Sequence, residues 1–371
     1  MDNTPPKKTI IVSVTNDLAS DQRVHKVCSF LQNNNYNVVL IGRVLPSSPT
    51  VERSYTIHRF KLWCTTGALF YAEYNLRLCI YLLFKKWDCL LANDLDTLLA
   101  NYVAHKCKGG ALYYDTHEYF TEVPELAHNA FAKNTWLRIE QYIFPKLKNV
   151  YTVNASIANI YTQLYGNKVH IVRNIPLFTP LTAATKTREE LGFSSAQKII
   201  ILQGAGINID RGAEEAVLAM QHLPTHYLLL IIGSGDAIPA IQQLIIKHNL
   251  QQRVQLLPRI AYNELMHYTR IANVGITLDK DTNLNYKYSL PNKLFDYIHA
   301  GIPVVSSNLI ELATIIRNYN VGEITPSHNP QDIATTIQKV ANANYTNALL
   351  HAQSELQWQN ECSVLATLYC K

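Results

Sequence analysis

The sequence predicts an α/β protein made of two doubly wound domains that face a cleft. Short runs rich in valine and isoleucine alternate with amphipathic stretches of helical length in both halves of the chain. This is the pattern of parallel sheets built from strand-helix-strand units. The chain has 371 residues, and because a single hydrophobic core rarely organises so many, two domains are expected.

The first half of the chain contains six predicted strands, each short and bounded by polar residues. They cover residues 8–15, 36–43, 88–93, 111–116, 149–154 and 169–174. The segments between them have the apolar period of helices, and these are residues 20–34, 67–87, 94–108, 133–147 and 155–165. Ser20 is the expected cap of the first helix. We expect this half to form one domain over residues 1–178.

The second half repeats the alternation after a break. Residues 175–190 carry two prolines and several threonines with little periodicity, which is typical of a linker. The strands predicted beyond it cover residues 198–205, 226–235, 254–258, 274–279 and 302–308. We expect a second domain over residues 187–350. The last segment, residues 353–371, has the apolar period of a helix and is expected to pack back on the first domain.

The distribution of charge limits the class of partner. Residues 1–180 hold 19 Lys and Arg against 13 Asp and Glu, and residues 181–371 hold 14 against 15, so the excess positive charge lies in the first half. Nucleic-acid binders usually concentrate charge in recognisable modules, so we expect an anionic small molecule or a membrane surface instead. The seven cysteines are scattered without a metal-binding spacing, which favours a reduced, cytoplasmic compartment.

Residues 59–87 interleave aromatic side chains with five basic ones. The longest uncharged apolar runs are shorter than the roughly 20 residues that a spanning helix needs. One interpretation is a helix that makes peripheral contact with the cytoplasmic face of an anionic membrane. The other is a well-packed pair of helices with solvated lysines.

Polar residues that follow predicted strands are the candidates for a binding site, because ligands of open α/β sheets bind beyond the carboxyl ends of the strands. Gly204 and Arg211 belong to "GAGINIDRG" after the first strand of the second domain. Glycines let backbone amides approach a phosphate, and the following helix start adds positive charge. The third glycine of a dinucleotide fingerprint is missing, so no hydride-transfer cofactor is expected. Arg259 follows the strand at 254–258.

The stretch "SLPNKLFDYIHAGIPVV" (289–305) is the strongest candidate for binding an anion. Ser289 or Asn292 can cap the predicted helix, and Pro291 suits its first turn. Lys293 in that turn is unfavourable beside the positive helix end unless an anion binds there. Asp296 lies one turn later on the same face. These residues fit a nucleoside diphosphate, and a plain amphipathic helix is the alternative.

In the first domain, the candidates also lie just beyond strands. His117 and Glu118 follow the strand at 111–116 and are the catalytic candidates. The candidates for an acceptor or cleft role are Asn16, Asp17, Arg23 and Asp94. The acidic doublets at 94–96 and 279–281 lack the further oxygen ligands that a hard cation requires, so no metal is expected.

Six segments resemble one known family in both content and order. They are "SVTNDLASDQRVHK", "YDTHEYF", "IVRNIP", "LQGAGINIDRG", "SLPNKLFDYIHAGIPVV" and "LQWQNECSVLATLY". The chain is similar, over nearly its whole length, to bacterial retaining glycosyltransferases of family four, which have the GT-B fold of two Rossmann-like domains. The resemblance implies a UDP- or GDP-sugar donor on the second domain and a glycan or lipid-linked acceptor on the first. It also implies a terminal helix that returns to the first domain and no metal or cofactor.

The resemblance also implies roles for single residues. Arg211 corresponds to the family's basic residue at the donor diphosphate, and Asp296 to the second acid of its Glu-x7-Glu pair, which holds the ribose. His117 corresponds to the histidine near the transferred sugar. Two positions depart from the pattern: Tyr288 replaces the first acid, and Ala205 replaces an arginine of the glycine loop.

The remaining expectations follow from that correspondence. Lys293 is expected to replace the missing arginine, and Tyr288, Ser289, Leu290 and Asn292 are expected to contact the donor. No second carboxylate is evident as a nucleophile, so the departing phosphate is expected to assist attack by the acceptor hydroxyl on the same face. The alternatives are a non-hydrolysing nucleotide-sugar epimerase of the same fold and a non-catalytic nucleotide-sugar-binding protein.

Overall fold

The computed structural model describes residues 7–19, 21–127, 129–178 and 186–370. The chain divides into two compact units: unit 1 is Met1–Asn174 with Glu361–Lys371, and unit 2 is Ile175–Asn360. Each unit is built on one sheet of parallel strands, which confirms the predicted class of two Rossmann-like α/β domains.

Unit 1 alternates strands and helices. Its strands are β1 (Lys8–Ser13), β2 (Tyr36–Val44), β3 (Thr56–Lys61), β4 (Cys89–Asn93), β5 (Ala111–Thr116), β6 (Asn149–Thr152) and β7 (Val169–Ile171). The helices between them are α1 (Gln22–Asn33), α2 (Gly67–Phe84), α3 (Leu95–Lys108), α4 (Pro124–Ala127), α5 (Ala130–Ile143) and α6 (Ala155–Tyr165). The strand order is β3-β2-β1-β4-β5-β6-β7. The order therefore reverses between β1 and β4, which is the topological switch point where ligands of such sheets bind.

Unit 2 repeats this arrangement. Its strands are β8 (Lys198–Gly204), β9 (Tyr227–Gly233), β10 (Val254–Leu257), β11 (Val274–Thr277), β12 (Val304–Ser306) and β13 (Gly322–Ile324). Its helices are α7 (Ala213–Ala219), α8 (Ile238–Lys247), α9 (Tyr262–Ile271), α10 (Leu284–Lys287), α11 (Asn292–Ala300), α12 (Ile310–Tyr319), α13 (Pro330–Ala341) and α14 (Thr346–Glu355). The order β10-β9-β8-β11-β12-β13 places the switch point between β8 and β11.

The end of the chain differs from the single helix predicted over residues 353–371. The helix breaks at Leu356–Gln357, where Leu356 is fully buried, and a new helix, α15 (Trp358–Tyr369), begins. From Glu361 onward the chain belongs to unit 1. There the ring of Tyr369 stacks on Tyr113 at 4.1 Å, and the hydroxyl of Tyr36 donates to the carbonyl of Tyr369 at 2.7 Å.

Two further boundaries in unit 1 correct the prediction. The strand β3 was not among the predicted strands and includes residues 59–61 of the stretch 59–87, whereas the helix α2 begins at Gly67, as predicted for the helical segment 67–87. β3 lies at the edge of the sheet, and its residues alternate in exposure. It therefore lacks the continuous apolar run by which the buried strands are recognised. Ser20 lies outside the described residues, and Asp21 caps α1 by accepting the N–H of Val24 at 3.0 Å.

Candidate functional site

The two switch points bring most of the predicted site residues to the carboxyl edges of the two sheets. In unit 1, the His117 cluster is defined as Arg23 of α1, Asp94 after β4, Asp115 near the end of β5, and His117 after β5. In unit 2, residues after β8 and β11 and at the start of α11 form the Asp279 cluster, defined as Arg211, Asp279 and Lys293.

His117 is held between two carboxylates. Its Nδ1 lies 3.1 Å from Oδ2 of Asp94, and its Nε2 lies 3.3 Å from Oδ2 of Asp115. Nε2 is also 3.3 Å from Oδ1 of Asn93, whose amide nitrogen donates to the carbonyl of Ser13. Because oxygen acceptors face both ring nitrogens, the ring is placed to donate from both, as only the imidazolium can.

The charges around His117 act on its pKa in opposite directions. Burial alone would lower the pKa, since His117 is only 19% exposed. The carboxylates of Asp94 and Asp115 outweigh burial and raise the pKa of His117 well above that of an ordinary histidine. In this structure His117 is therefore suited to carry a fixed positive charge and not to accept a proton.

Asp94 fixes the loop that carries His117. Its Oδ1 accepts the backbone N–H of His117 at 2.7 Å, while its Oδ2 faces the ring. Asp94 has a φ of 57°, a conformation that costs a non-glycine residue free energy. The two contacts to His117 help offset that cost, so backbone and ring are positioned together.

Asp115 and Arg23 form a buried ion pair beneath His117. The guanidinium of Arg23 donates to both carboxylate oxygens of Asp115 at 2.9 and 2.6 Å and to the carbonyl of Val172 at 2.7 Å. Arg23 is 3% exposed and Asp115 is fully buried. The ligand role expected of Arg23 is therefore wrong, because its guanidinium is committed to the fold. Asp115 was not predicted, although an acid within the apolar strand "ALYYDT" was a signal for it.

Asp96 is a second buried acid beside this cluster. It is 7% exposed, and its Oδ2 accepts the hydroxyl of Thr15 at 2.6 Å. Burial, with the nearby charge of Asp94, raises the pKa of Asp96 to about 7. A carboxyl group that changes protonation near neutral pH thus lies at the switch point, and the sequence singled it out only as part of an acidic doublet.

Asn16 and Asp17 shape the loop after β1. Asn16 accepts the backbone N–H of Leu18 at 2.8 Å and donates to the carboxylate of Asp21 at 2.6 Å. Asp17 accepts the N–H of Ala19 and the hydroxyl of Ser48, both at 3.1 Å. Both side chains therefore stabilise the turn between β1 and α1.

Glu118 is half-buried, next to His117 in the loop after β5. Its backbone carbonyl accepts the hydroxyl of Thr116 at 2.8 Å. Glu118 thus follows the same strand as Asp115 and His117 and lies in the loop that Asp94 anchors.

In unit 2, glycine backbones form the loops beyond β8 and β9. A Cβ on Gly235 would lie 2.1 Å from the carbonyl oxygen of Ile207, and one on Gly212 would lie 2.3 Å from that of Leu278. Gly212 also has a φ of +75°. Gly204 ends β8, directly before these loops. Only glycine lets the backbones pack this closely, and in the loop after β8 the N–H of Ile209 donates to Oδ1 of Asp236 at 2.8 Å.

The Asp279 cluster joins two cations to one buried acid. Nε of Arg211 lies 3.7 Å from Oδ1 of Asp279, and Nζ of Lys293 lies 3.6 Å from its Oδ2. The side chains of Asp279 and Lys293 are 2% and 8% exposed, whereas that of Arg211 is 31% exposed. Burial lowers the pKa of Lys293, Asp279 opposes this effect, and Arg211 adds to it. The sequence analysis identified Asp279 only as a member of the acidic doublet at 279–281 and did not predict it as a site residue.

The start of α11 corrects three predictions about the stretch 289–305. Pro291 is the residue before the helix, and neither Ser289 nor Asn292 caps it, since no side chain bonds to its first amides. Asn292 is exposed at the first helical position. Leu290 is 9% exposed and its side chain packs in the apolar core, so only its backbone is placed to contact a donor.

Asp296 is oriented by two neighbours. Its Oδ1 accepts the hydroxyl of Tyr262 at 2.8 Å, and its Oδ2 accepts the amide of Gln203 at 3.1 Å. Asp296 is 7% exposed. Tyr288 directly follows α10, where its backbone N–H donates to the carbonyl of Leu284 at 3.2 Å. Arg259 is exposed in the loop after β10.

Two absences among the described residues concern metal binding and membrane spanning. No group of three or more His, Cys, Asp or Glu within residues 7–19, 21–127, 129–178 and 186–370 could hold a metal ion. No helix in that same part of the chain is both long and apolar enough to cross a bilayer.

Part of the chain is similar to proteins of known sequence. Residues 184–355 match the family described as "Glycosyl transferases group 1". Over 188 residues the chain is 25% identical to a D-inositol 3-phosphate glycosyltransferase from Xylanimonas cellulosilytica. That alignment covers 45% of this chain and 42% of the relative, so it spans less than half of either protein.

Comparisons with solved structures cover the whole chain. The sucrose-phosphate synthase of Thermosynechococcus elongatus superimposes with a TM-score of 0.79 at 18% identity, covering 98% of both chains. Anabaena Alr3699/HepE in complex with UDP-glucose gives 0.71 at 14% identity, covering 97% of this chain and 100% of that one. WaaG, a glycosyltransferase involved in lipopolysaccharide biosynthesis, gives 0.70 at 13% identity, covering 97% and 99%. The structural likeness establishes the GT-B fold, and residues 184–355 are similar to the glycosyl transferases group 1 family.

Proposed function

We propose that this chain is a retaining glycosyltransferase that moves a sugar from a UDP- or GDP-sugar to a hydroxyl of a glycan or lipid-linked acceptor. The transfer requires no metal, and the product belongs to a cell-envelope polysaccharide or another glycan. The family match of residues 184–355 and the structural neighbours WaaG and Alr3699/HepE support the proposal. The observation that carries it is the Asp279 cluster at the switch point of unit 2.

The Asp279 cluster suits a diphosphate because both of its cations lie beyond hydrogen-bond distance of Asp279. The two ion pairs are 3.6 and 3.7 Å long, whereas charge-assisted hydrogen bonds are about 2.7–2.9 Å. Two cations and one carboxylate leave a net positive charge, which a diphosphate can neutralise. Arg211 and Lys293 would then stabilise the charge that develops on the leaving group.

The rest of the donor is assigned to neighbouring residues. Asp296 is held by Tyr262 and Gln203, and a carboxylate can accept further hydrogen bonds, so it can bind the ribose hydroxyls. Tyr288 offers a hydroxyl where the similar family has an acid, and we assign it to the transferred sugar.

Unit 1 is assigned to the acceptor and to the reacting end of the donor. His117 supplies a fixed positive charge, and Asp94 and Glu118 offer acceptors for sugar hydroxyls. In the transfer, the bond from the anomeric carbon to the phosphate oxygen breaks, and the bond to the acceptor oxygen forms on the same face. The acceptor proton passes to the departing phosphate oxygen. His117 is not the base, because both of its ring nitrogens already face acceptors.

Two alternatives are separated by product analysis. An epimerase of the same fold would change the sugar with donor alone, whereas a transferase needs an acceptor. A non-catalytic binding protein is suggested by Tyr288, which replaces an acid. Donor hydrolysis or transfer above background would exclude that alternative.

A thermal-shift screen against UDP, GDP and ADP tests the proposed donor. A ligand at 100 times its Kd stabilises the folded state by about 2.7 kcal/mol. Lys293→Met should weaken binding of the stabilising nucleotide by about 10- to 100-fold, as expected for a lost hydrogen bond to a charged group. Lys287→Met is the matched control, since Lys287 pairs with Asp281 at 3.1 Å and is 35% exposed. Near-normal affinity in Lys293→Met would overturn the diphosphate assignment.

We further propose a cytoplasmic location with peripheral membrane contact through residues 59–87. All seven cysteines are unpaired. One face of α2 exposes large apolar side chains, with Leu76, Ile80 and Phe84 exposed by 62%, 48% and 84%. Replacing Lys85 and Lys86 by glutamine should release the protein from anionic vesicles, and unchanged binding would contradict this contact.

A further inference from the structure

A second pocket lies in unit 1, at the edge of the sheet opposite to the His117 cluster. It has a volume of about 250 Å³ and is lined at the amino ends of β5 and β6. Lys106 comes from the last turn of α3, and Lys146 and Lys148 come from the segment between α5 and β6. The lining contains no aspartate or glutamate. We call it the lysine pocket.

The positive charge of the lysine pocket is not neutralised by the described part of the protein. Within residues 7–19, 21–127, 129–178 and 186–370, no carboxylate lies within 4.0 Å of the ammonium groups of Lys106, Lys146 or Lys148. Two of these groups approach the same ring: Nζ of Lys106 and Nζ of Lys146 lie 5.6 and 5.9 Å from the centroid of Tyr102. Tyr102 is only 7% exposed. The ammonium groups of Lys106 and Lys146 therefore both lie near the buried ring of Tyr102 and near the same cavity.

The carboxyl end of α3 compensates for a small part of this charge. A helix end carries about half an elementary negative charge, whereas the pocket presents three full positive charges. His105 in the same turn uses its Nδ1 on the carbonyl of Gly110 at 3.0 Å. All three lysines are exposed, so water screens much of the remaining repulsion among their charges, and a bound anion would reduce it further.

We propose that the lysine pocket binds a phosphate-bearing ligand. Phosphate accepts several charged donors at once, and ammonium groups from separate segments can surround it. The group could come from a phospholipid headgroup or from a soluble phosphate ester. Tyr142 lies under Nζ of Lys146 at 3.0 Å from its ring centroid and is 63% exposed. This inference is independent of the proposed glycosyl transfer, since it concerns the other edge of the sheet.

The test compares two triple variants of the full chain with equal loss of charge. The pocket variant replaces Lys106, Lys146 and Lys148 by glutamine. The control variant replaces three exposed lysines of unit 2 by glutamine, and these are Lys186, Lys247 and Lys339. Vesicles of phosphatidylglycerol with phosphatidylcholine, and vesicles of phosphatidylcholine alone, probe a headgroup by co-sedimentation. Glycerol 3-phosphate, titrated by calorimetry, probes a soluble ester. Circular dichroism checks that all three proteins are folded.

The pocket variant should lose about 100-fold in affinity for at least one probe, since each basic residue near an anionic surface contributes about fivefold. The control variant should lose little. A loss confined to the phosphatidylglycerol vesicles identifies a headgroup site, and a loss confined to glycerol 3-phosphate identifies a site for a soluble ester. The proposal is overturned if the pocket and control variants bind both probes alike, because the three lysines would then be solvated surface charges.

Discussion

Removing one partner of the Arg23–Asp115 ion pair should destabilise unit 1 far more than an exposed pair would suggest. The guanidinium makes three hydrogen bonds of 2.6 to 2.9 Å, and both side chains are almost completely buried. Asp115→Asn leaves the cation without a counter-ion in a medium of low dielectric constant. The loss of one partner of a buried pair typically costs about 3–5 kcal/mol of unfolding free energy. Arg23→Met should cost a similar amount, because Asp115 then stays buried with His117 as its remaining cation.

The double variant Arg23→Met/Asp115→Asn leaves neither charge unpaired, so its loss should be clearly smaller than the sum of the two single losses. Urea unfolding followed by tryptophan fluorescence measures this, because three of the four tryptophans lie in unit 1. Lys339→Met is the control: Lys339 pairs with Glu323, the two are 64% and 33% exposed, and such pairs contribute about 1 kcal/mol or less. Additive losses in the double variant, or a loss in Asp115→Asn no larger than in the control, would refute the reasoning.

Three further variants test other parts of the two units. His117→Ala should reduce kcat far more than donor affinity, and equal losses in both would contradict its placement at the reacting sugar. The pKa of Asp96 is raised from 3.8 to about 7, so protonated Asp96 stabilises the fold below about pH 4, and this stabilisation is lost as the pH rises through 7. Asp96→Asn should therefore reduce the change of unfolding free energy with pH between about pH 4 and 7, as measured by urea unfolding at several pH values. An unchanged pH dependence in this variant would contradict the prediction. Gly212→Ala would place a Cβ 2.3 Å from the carbonyl oxygen of Leu278, whereas at Gly301 the nearest atom is 3.7 Å away at a similar φ of +76°. Both substitutions carry the backbone cost of about 1–2 kcal/mol, and Gly212→Ala should lower the melting temperature further than Gly301→Ala.

The sequence predicted the fold class because a buried parallel sheet imposes a repeated pattern on the chain. The central strands β1, β4, β8 and β9 are apolar on both faces, so they appear as continuous Val, Ile and Leu runs. The edge strand β3 has no such run, and it was not predicted. The break at Leu356–Gln357 was also missed, because a local period does not reveal where the chain passes from one unit to the other.

The candidate site was predictable only in part, for a related reason. Residues after strands could be chosen from their position, and this rule found His117, Asp94 and Arg211. It could not tell which polar side chain faces inward, so Arg23 was assigned to a ligand although it is 3% exposed. It also passed over Asp115, since an acid inside a strand has no visible partner until the sheet brings Arg23 to it.

The two clusters share one design, in which a buried aspartate at a switch point holds cations from other segments. In unit 1, Asp115 binds Arg23 at 2.6 and 2.9 Å and His117 at 3.3 Å. In unit 2, Asp279 lies 3.6 and 3.7 Å from its two cations. The short contacts of Asp115 satisfy its partner, so that pair stabilises the fold. The contacts of Asp279 with its two cations are longer than charge-assisted hydrogen bonds, and we propose that a diphosphate binds these cations. The two buried aspartates thus differ in how closely they hold their cations, and the shorter contacts are those of the pair that stabilises the fold.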